Sequence, residues 1–77
     1  MTPDLLDEVG RALYGPQWQS EMARELGVAI RTVQRWAVGN YPPPPGVAFD
    51  LGDLLRKRRG DLAILAKKLP RRPKKPG

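Results

Sequence analysis

Along the first forty residues, apolar side chains recur at spacings of three and four, the repeat of helices that each turn one face to a core. In the opening stretch Leu5 or Leu6, Val9 and Leu13 form one such stripe. Thr2 can cap this helix, Pro3 suits its first position, and Asp4, Asp7 and Glu8 place negative charge near the positive end of its dipole. Gly15 and Pro16 end it. A second helix is predicted over residues 18–26, with Met22, Ala23 and Leu26 on one face and Gly27 as its stop. A third runs from about Ile30 to Val38 and closes on Gly39-Asn40, followed by an extended connector of Tyr41 and prolines 42 to 45. From Gly46 onward, Val47, Leu51, Leu54, Leu55, Leu62, Leu65 and Leu69 predict one long helix over about 46–69. Gly52 and Gly60 weaken it by about 1 kcal/mol each relative to alanine, and a break or bend near Gly60 fits that weakness. No period-two alternation occurs, so the expected fold class is all-α: one domain over residues 1–69 and a disordered basic tail over 70–77.

Composition narrows the function more than the fold. A chain of 77 residues has room for one small core, which makes oligomerisation an expectation. Cysteine and histidine are both absent, which excludes disulfides, thiolate nucleophiles, imidazole bases and the usual zinc ligand sets. No cofactor or metal is expected. Of the residue types left for catalysis, Asp4, Asp7 and Glu8 read as helix-start charges, so the chain is not expected to be an enzyme. The apolar runs are a few residues long, and the start of the chain lacks the pattern of a signal peptide; a cytoplasmic protein with no membrane partner is expected.

The net charge of +6 is unevenly placed. Residues 67–77 hold six bases and no acid, leaving eight bases against eight acids in residues 1–66. Within that neutral body, residues 1–28 carry five acids and two bases, and residues 29–66 carry six bases and three acids. A molecule polarised in this way presents its basic side to phosphates; a basic tail kept for solubility is the other reading of the same charges.

The segment from Gln19 to Val38 resembles the helix-turn-helix of phage repressors and Cro-like bacterial regulators. Two helices that cross steeply require a small residue at their closest approach, here Ala23, and one tolerant of positive φ in the turn, here Gly27. Met22, Leu26, Val28, Val33 and Trp36 fill the wedge, and all seven positions match the family's pattern in type and spacing. The resemblance implies a three-helix core plus the long C-terminal helix, with the motif's second helix entering the DNA major groove. With Val33 and Trp36 turned inward, the outward face holds Ile30, Arg31, Gln34, Arg35 and Val38. Arg31 and Arg35 suit the paired acceptors of guanine, Gln34 suits adenine, and Ile30 suits a thymine methyl, which makes these four the expected base readers. Gln19 stands where the family meets a phosphate, with Thr32, Asn40 and Arg56 as further phosphate candidates. Ala29 departs from the pattern, since a serine or threonine commonly caps the reading helix there.

In the run Arg56 to Arg59, one or two side chains can reach a phosphate backbone, or all can be solvated charges at a helix end. The basic tail has the same two readings. Leu54, Leu62, Leu65 and Leu69 exceed the evident needs of a three-helix wedge and are expected to form a homodimer interface; folding back on the first helix and Trp18 is the alternative. Together these features lead to the expectation of a homodimeric repressor of a phage or mobile-element operon, binding an inverted repeat in double-stranded DNA with no small-molecule ligand. In size and plan it is also similar to small anti-CRISPR-associated repressors. The competing expectation is a protein-interaction module, such as an antitoxin or phage inhibitor, whose basic tail engages an acidic partner.

Overall fold

The computed structural model describes residues 1–58, 60–71 and 73, and among them every regular element is helical. The chain divides into two compact units, residues Met1–Pro43 and Pro44–Gly77. No described helix is long and apolar enough to cross a membrane.

The first unit contains α1 (Pro3–Tyr14), α2 (Trp18–Leu26) and α3 (Ile30–Ala37), each packed on the other two. The capping chemistry legible in the sequence is present at α1: the Leu5 N–H donates to the Thr2 hydroxyl at 3.1 Å, and Pro3 opens the helix. Leu6, Val9, Trp18, Met22, Ala23, Val33 and Trp36 are buried. Gly10 is buried as well, for a reason the spacing does not reveal. The Trp18 indole lies directly against its backbone, where any Cβ would overlap the ring. A mid-helix glycine, unfavourable by propensity, thus makes the slot that seats the largest buried side chain of the unit. At the other end of α1, the Tyr14 hydroxyl donates to the Glu25 carboxylate at 2.5 Å, tying α1 to the end of α2.

The second unit departs from a single long helix and has the break near Gly60. In place of one helix over 46–69 there are α4 (Pro45–Lys57), α5 (Asp61–Leu65) and a 3₁₀ turn (Ala66–Lys68). Pro45, expected in the connector, is instead the first residue of α4, where the missing N–H costs no intrahelical bond and the fixed φ suits the helix. The break has a backbone cause: Arg58 is extended (φ −89°, ψ 166°) and Gly60 sits at φ 75°, outside the right-handed helical region. With the chain redirected there, Leu65, Ala66 and Leu69 are buried together with Ala48, Leu51 and Leu55. Arg59 and most of the basic tail, residues 72 and 74–77, lie outside the described residues, so the expectations placed on them have no structural counterpart here.

Candidate nucleic-acid interface

The helix pair α2–α3 is joined by a turn that only a few residue types can make. Gly27 stands at φ 72°, ψ 31°, in the left-handed region, and the Val28 N–H returns to the Ala23 carbonyl at 3.0 Å. Met22, Ala23, Val33 and Trp36 are buried, while Leu26 and Val28 are half-buried at the edge of the wedge. Four of the motif's seven residues are thus buried, Gly27 makes the left-handed turn, and Leu26 and Val28 lie at the margin instead of filling the wedge. Ala29 begins α3 with no side-chain cap; the amides of Thr32 and Val33 close on its carbonyl at 3.0 and 3.5 Å. Backbone alone starts this helix.

At about 100° per residue, the buried pair Val33 and Trp36 sets the inward direction of α3, and the opposite direction falls between Arg31 and Val38. Ile30, Arg31, Gln34, Arg35 and Val38 are accordingly exposed, and Thr32 lies half-buried at the flank. The far end is sealed by backbone: the Val38 N–H donates to Gln34, and the Asn40 N–H donates to the Arg35 carbonyl at 3.0 Å. Asn40 itself is exposed.

The electrostatics of the unit's four arginines separate them into two pairs. Arg11 is held by Asp7 at 3.0 Å and Arg24 lies 3.7 Å from Glu21, both along their own helices. Arg31 and Arg35 have no carboxylate partner among the described residues, and the sequence has no acid at all between Glu25 and Asp50. The charge of the first two is compensated locally; that of the second two is directed outward from α3.

Beside this face, the start of α2 opens into a polar concavity of about 310 Å³ lined by Arg11, Gln17, Gln19, Ser20, Ile30 and Gln34, with Pro16 and Trp18. Gln17, at the cap position of α2, contributes no side-chain bond to its amides. The half-buried Gln19 and the exposed Ile30 and Gln34 are thus brought to one place. Arg11, Gln17 and Ser20 were not among the sequence candidates. Their signal was the Gly15-Pro16 stop, which brings the chain round at the start of α2.

The remaining candidates lie in the second unit. Arg56 is half-buried, its guanidinium 3.0 Å from Asp53 and lying over Gly52, where a Cβ would stand 3.3 Å from Nη2. It lines a cleft of about 260 Å³ with Lys67, Arg71, Ala63, Ala66 and Leu69. Of the described residues of the basic run, Arg56 and Lys57 are helical and Arg58 is extended, because α4 ends at Lys57. Of the leucines expected at a dimer interface, Leu65 and Leu69 are buried in the single chain, whereas Leu54 and Leu62 are half-buried and the neighbouring Ile64 is exposed. No group of three or more potential metal ligands occurs among the described residues. No protein-family model, curated protein or solved structure matches the chain.

Proposed function

We propose that the chain is a sequence-specific DNA-binding regulator that reads the major groove with the outward face of α3. The observation that carries this reading is the separation of the arginines: those on α1 and α2 are paired with carboxylates, while Arg31 and Arg35 project from a helix held by Val33 and Trp36 and have no such partner among the described residues. Unpaired guanidiniums on an ordered helix match the paired O6 and N7 acceptors of guanine, and Gln34 between them matches adenine. The concavity at Gln19, at the start of α2 where Gln17 makes no side-chain cap, suits a backbone phosphate that sets the register of α3 in the groove.

Regulation on this reading is repression by occlusion, with two copies related by a two-fold axis setting their reading helices roughly 34 Å apart on an inverted repeat. Leu54, Leu62 and Ile64 supply the apolar surface for such pairing in place of the buried Leu65 and Leu69. A phage or mobile-element operon is the setting that the motif's resemblance suggests.

Selection from a randomised duplex library tests the proposal directly. The expected product is a palindromic consensus whose binding weakens as salt rises. Arg31→Ala and Arg35→Ala should each relax the preference at one position by about 1–3 kcal/mol, or roughly 5- to 150-fold. Failure to enrich any sequence at low salt refutes the reading. A consensus without two-fold symmetry, together with a monomer by sedimentation, refutes the dimer alone.

A further inference from the structure

We propose that the cleft of the second unit binds a terminal phosphate, the dianionic end of a small phosphomonoester. The site lies within residues 56–71 and depends neither on α3 nor on DNA reading. Arg56, Lys67 and Arg71 line it together with Ala63, Ala66 and Leu69. The turn at Gly60 brings these residues together: the chain leaves the helical course at φ 75°, and α5 and the 3₁₀ turn pack back on α4. Bases far apart in the sequence thereby share one hollow. Ala66 and Leu69 are buried and Ala63 half-buried, which gives the cleft an apolar lining, while Lys67 and Arg71 are exposed.

Arg56 is the ordered cation of the three. Its guanidinium lies against α4 at Gly52, where an added Cβ would stand 3.3 Å from Nη2 and 3.4 Å from Nη1. Glycine inside a helix is unfavourable by propensity, and here its missing side chain seats the guanidinium. Asp53 accepts a hydrogen bond from Nη1 at 3.0 Å and so orients the planar fork, the shape that pairs two N–H donors with two phosphate oxygens. With this side chain 29% exposed, part of its freedom is lost before any ligand arrives.

Charge and size set the class of ligand. Among the described residues, Asp53 is the one carboxylate paired with any of the three cations, so three bases against one acid leave a local charge of +2. A dianion neutralises that charge, whereas a phosphodiester carries half of what is needed. This separates the ligand from the DNA phosphate expected at Arg56, because a duplex backbone offers diesters. At about 260 Å³ the cleft is smaller than the roughly 300–1,000 Å³ of sites for drug-sized molecules. It fits a phosphate with a short apolar body laid against Ala63, Ala66 and Leu69.

The test titrates the full chain with phenyl phosphate at pH 8, where a phosphomonoester is a dianion, following amide shifts and heat together. Saturable one-to-one binding is expected, with the largest shifts at Ala63, Ala66 and Leu69. Methyl phenyl phosphate, a diester with the same ring and one charge, should bind about tenfold more weakly. Inorganic phosphate, which lacks the apolar body, should bind about fivefold more weakly. Lys67→Gln and Arg71→Gln alter exposed side chains and should melt with wild type while each weakens phenyl phosphate about threefold. Arg56→Lys keeps the charge but loses the fork, and should weaken it about fivefold.

No saturation below about 10 mM, equal affinity for the monoester and its diester, or unchanged affinity in the Lys67→Gln/Arg71→Gln double variant overturns the site. Shifts centred on α3 or on Arg11 and Gln19 overturn it as well, and leave the DNA-binding reading where it stood.

Discussion

Replacing Gly10 by alanine sets two effects of opposite sign against each other. Gly10 lies in the interior of α1, where alanine is favoured over glycine by about 1 kcal/mol, so local propensity alone expects a more stable protein. The packing reverses this. A Cβ at residue 10 would overlap Cε3, Cδ2 and Cγ of Trp18, whose side chain is 2% exposed. The overlap reaches the root of the indole at Cγ, so rotating the ring does not relieve it; α1 and α2 must move apart or Trp18 must leave its slot. Overpacking of this kind typically costs about 1–3 kcal/mol, and the rooted contact places Gly10→Ala near the upper end, about 2 kcal/mol net after the propensity gain. For a domain of this size the melting temperature should fall by about 8–16 °C.

Thermal and urea unfolding of wild type, Gly10→Ala, Trp18→Leu and the double variant measure this as a cycle. With the indole gone, Gly10→Ala should recover its helical advantage and stabilise by about 1 kcal/mol. A Gly10→Ala protein that melts at or above wild type, or a coupling below about 0.5 kcal/mol, refutes the close approach.

Three further outcomes follow from the same structure. Trp36→Ala should destabilise by about 3–5 kcal/mol because the ring is 5% exposed, whereas Arg35→Ala should leave the melting temperature nearly unchanged while reducing DNA binding; comparing melts with binding curves separates the two. Gly27→Ala meets no steric neighbour but forces alanine to φ 72°, and chemical denaturation should show a loss of about 1–2 kcal/mol from backbone strain alone. Thr2→Ala removes the acceptor for the Leu5 N–H and should cost about 1 kcal/mol, visible as earlier exchange of the first-turn amides of α1.

What residue order alone determines here is local. The ends of α1 and α2 follow from Thr2-Pro3, Gly15 and Gly27, because caps and stops act within a few residues of themselves. The wedge of Met22, Ala23, Val33 and Trp36 follows from helical period, as does the outward set on α3, since a helix of fixed pitch carries its faces with it. Val38 was legible on that face too.

Tertiary structure decided the rest. Leucine spacing continues from Leu55 to Leu62 as though one helix ran through; Gly60 marks a weak point in the sequence, but it is the extended Arg58 and the positive φ of Gly60, with Leu65 and Leu69 buried, that show where the segment goes. Periodicity marks which residues are apolar, but burial is set by what a segment packs against. The slot at Gly10 and the inward turn of Leu65 and Leu69 depend on side chains meeting in space. The arginine pairs, by contrast, were local: Arg11, Arg24 and Arg56 meet acids three or four residues away on their own helices, and α3 has no acid within that reach.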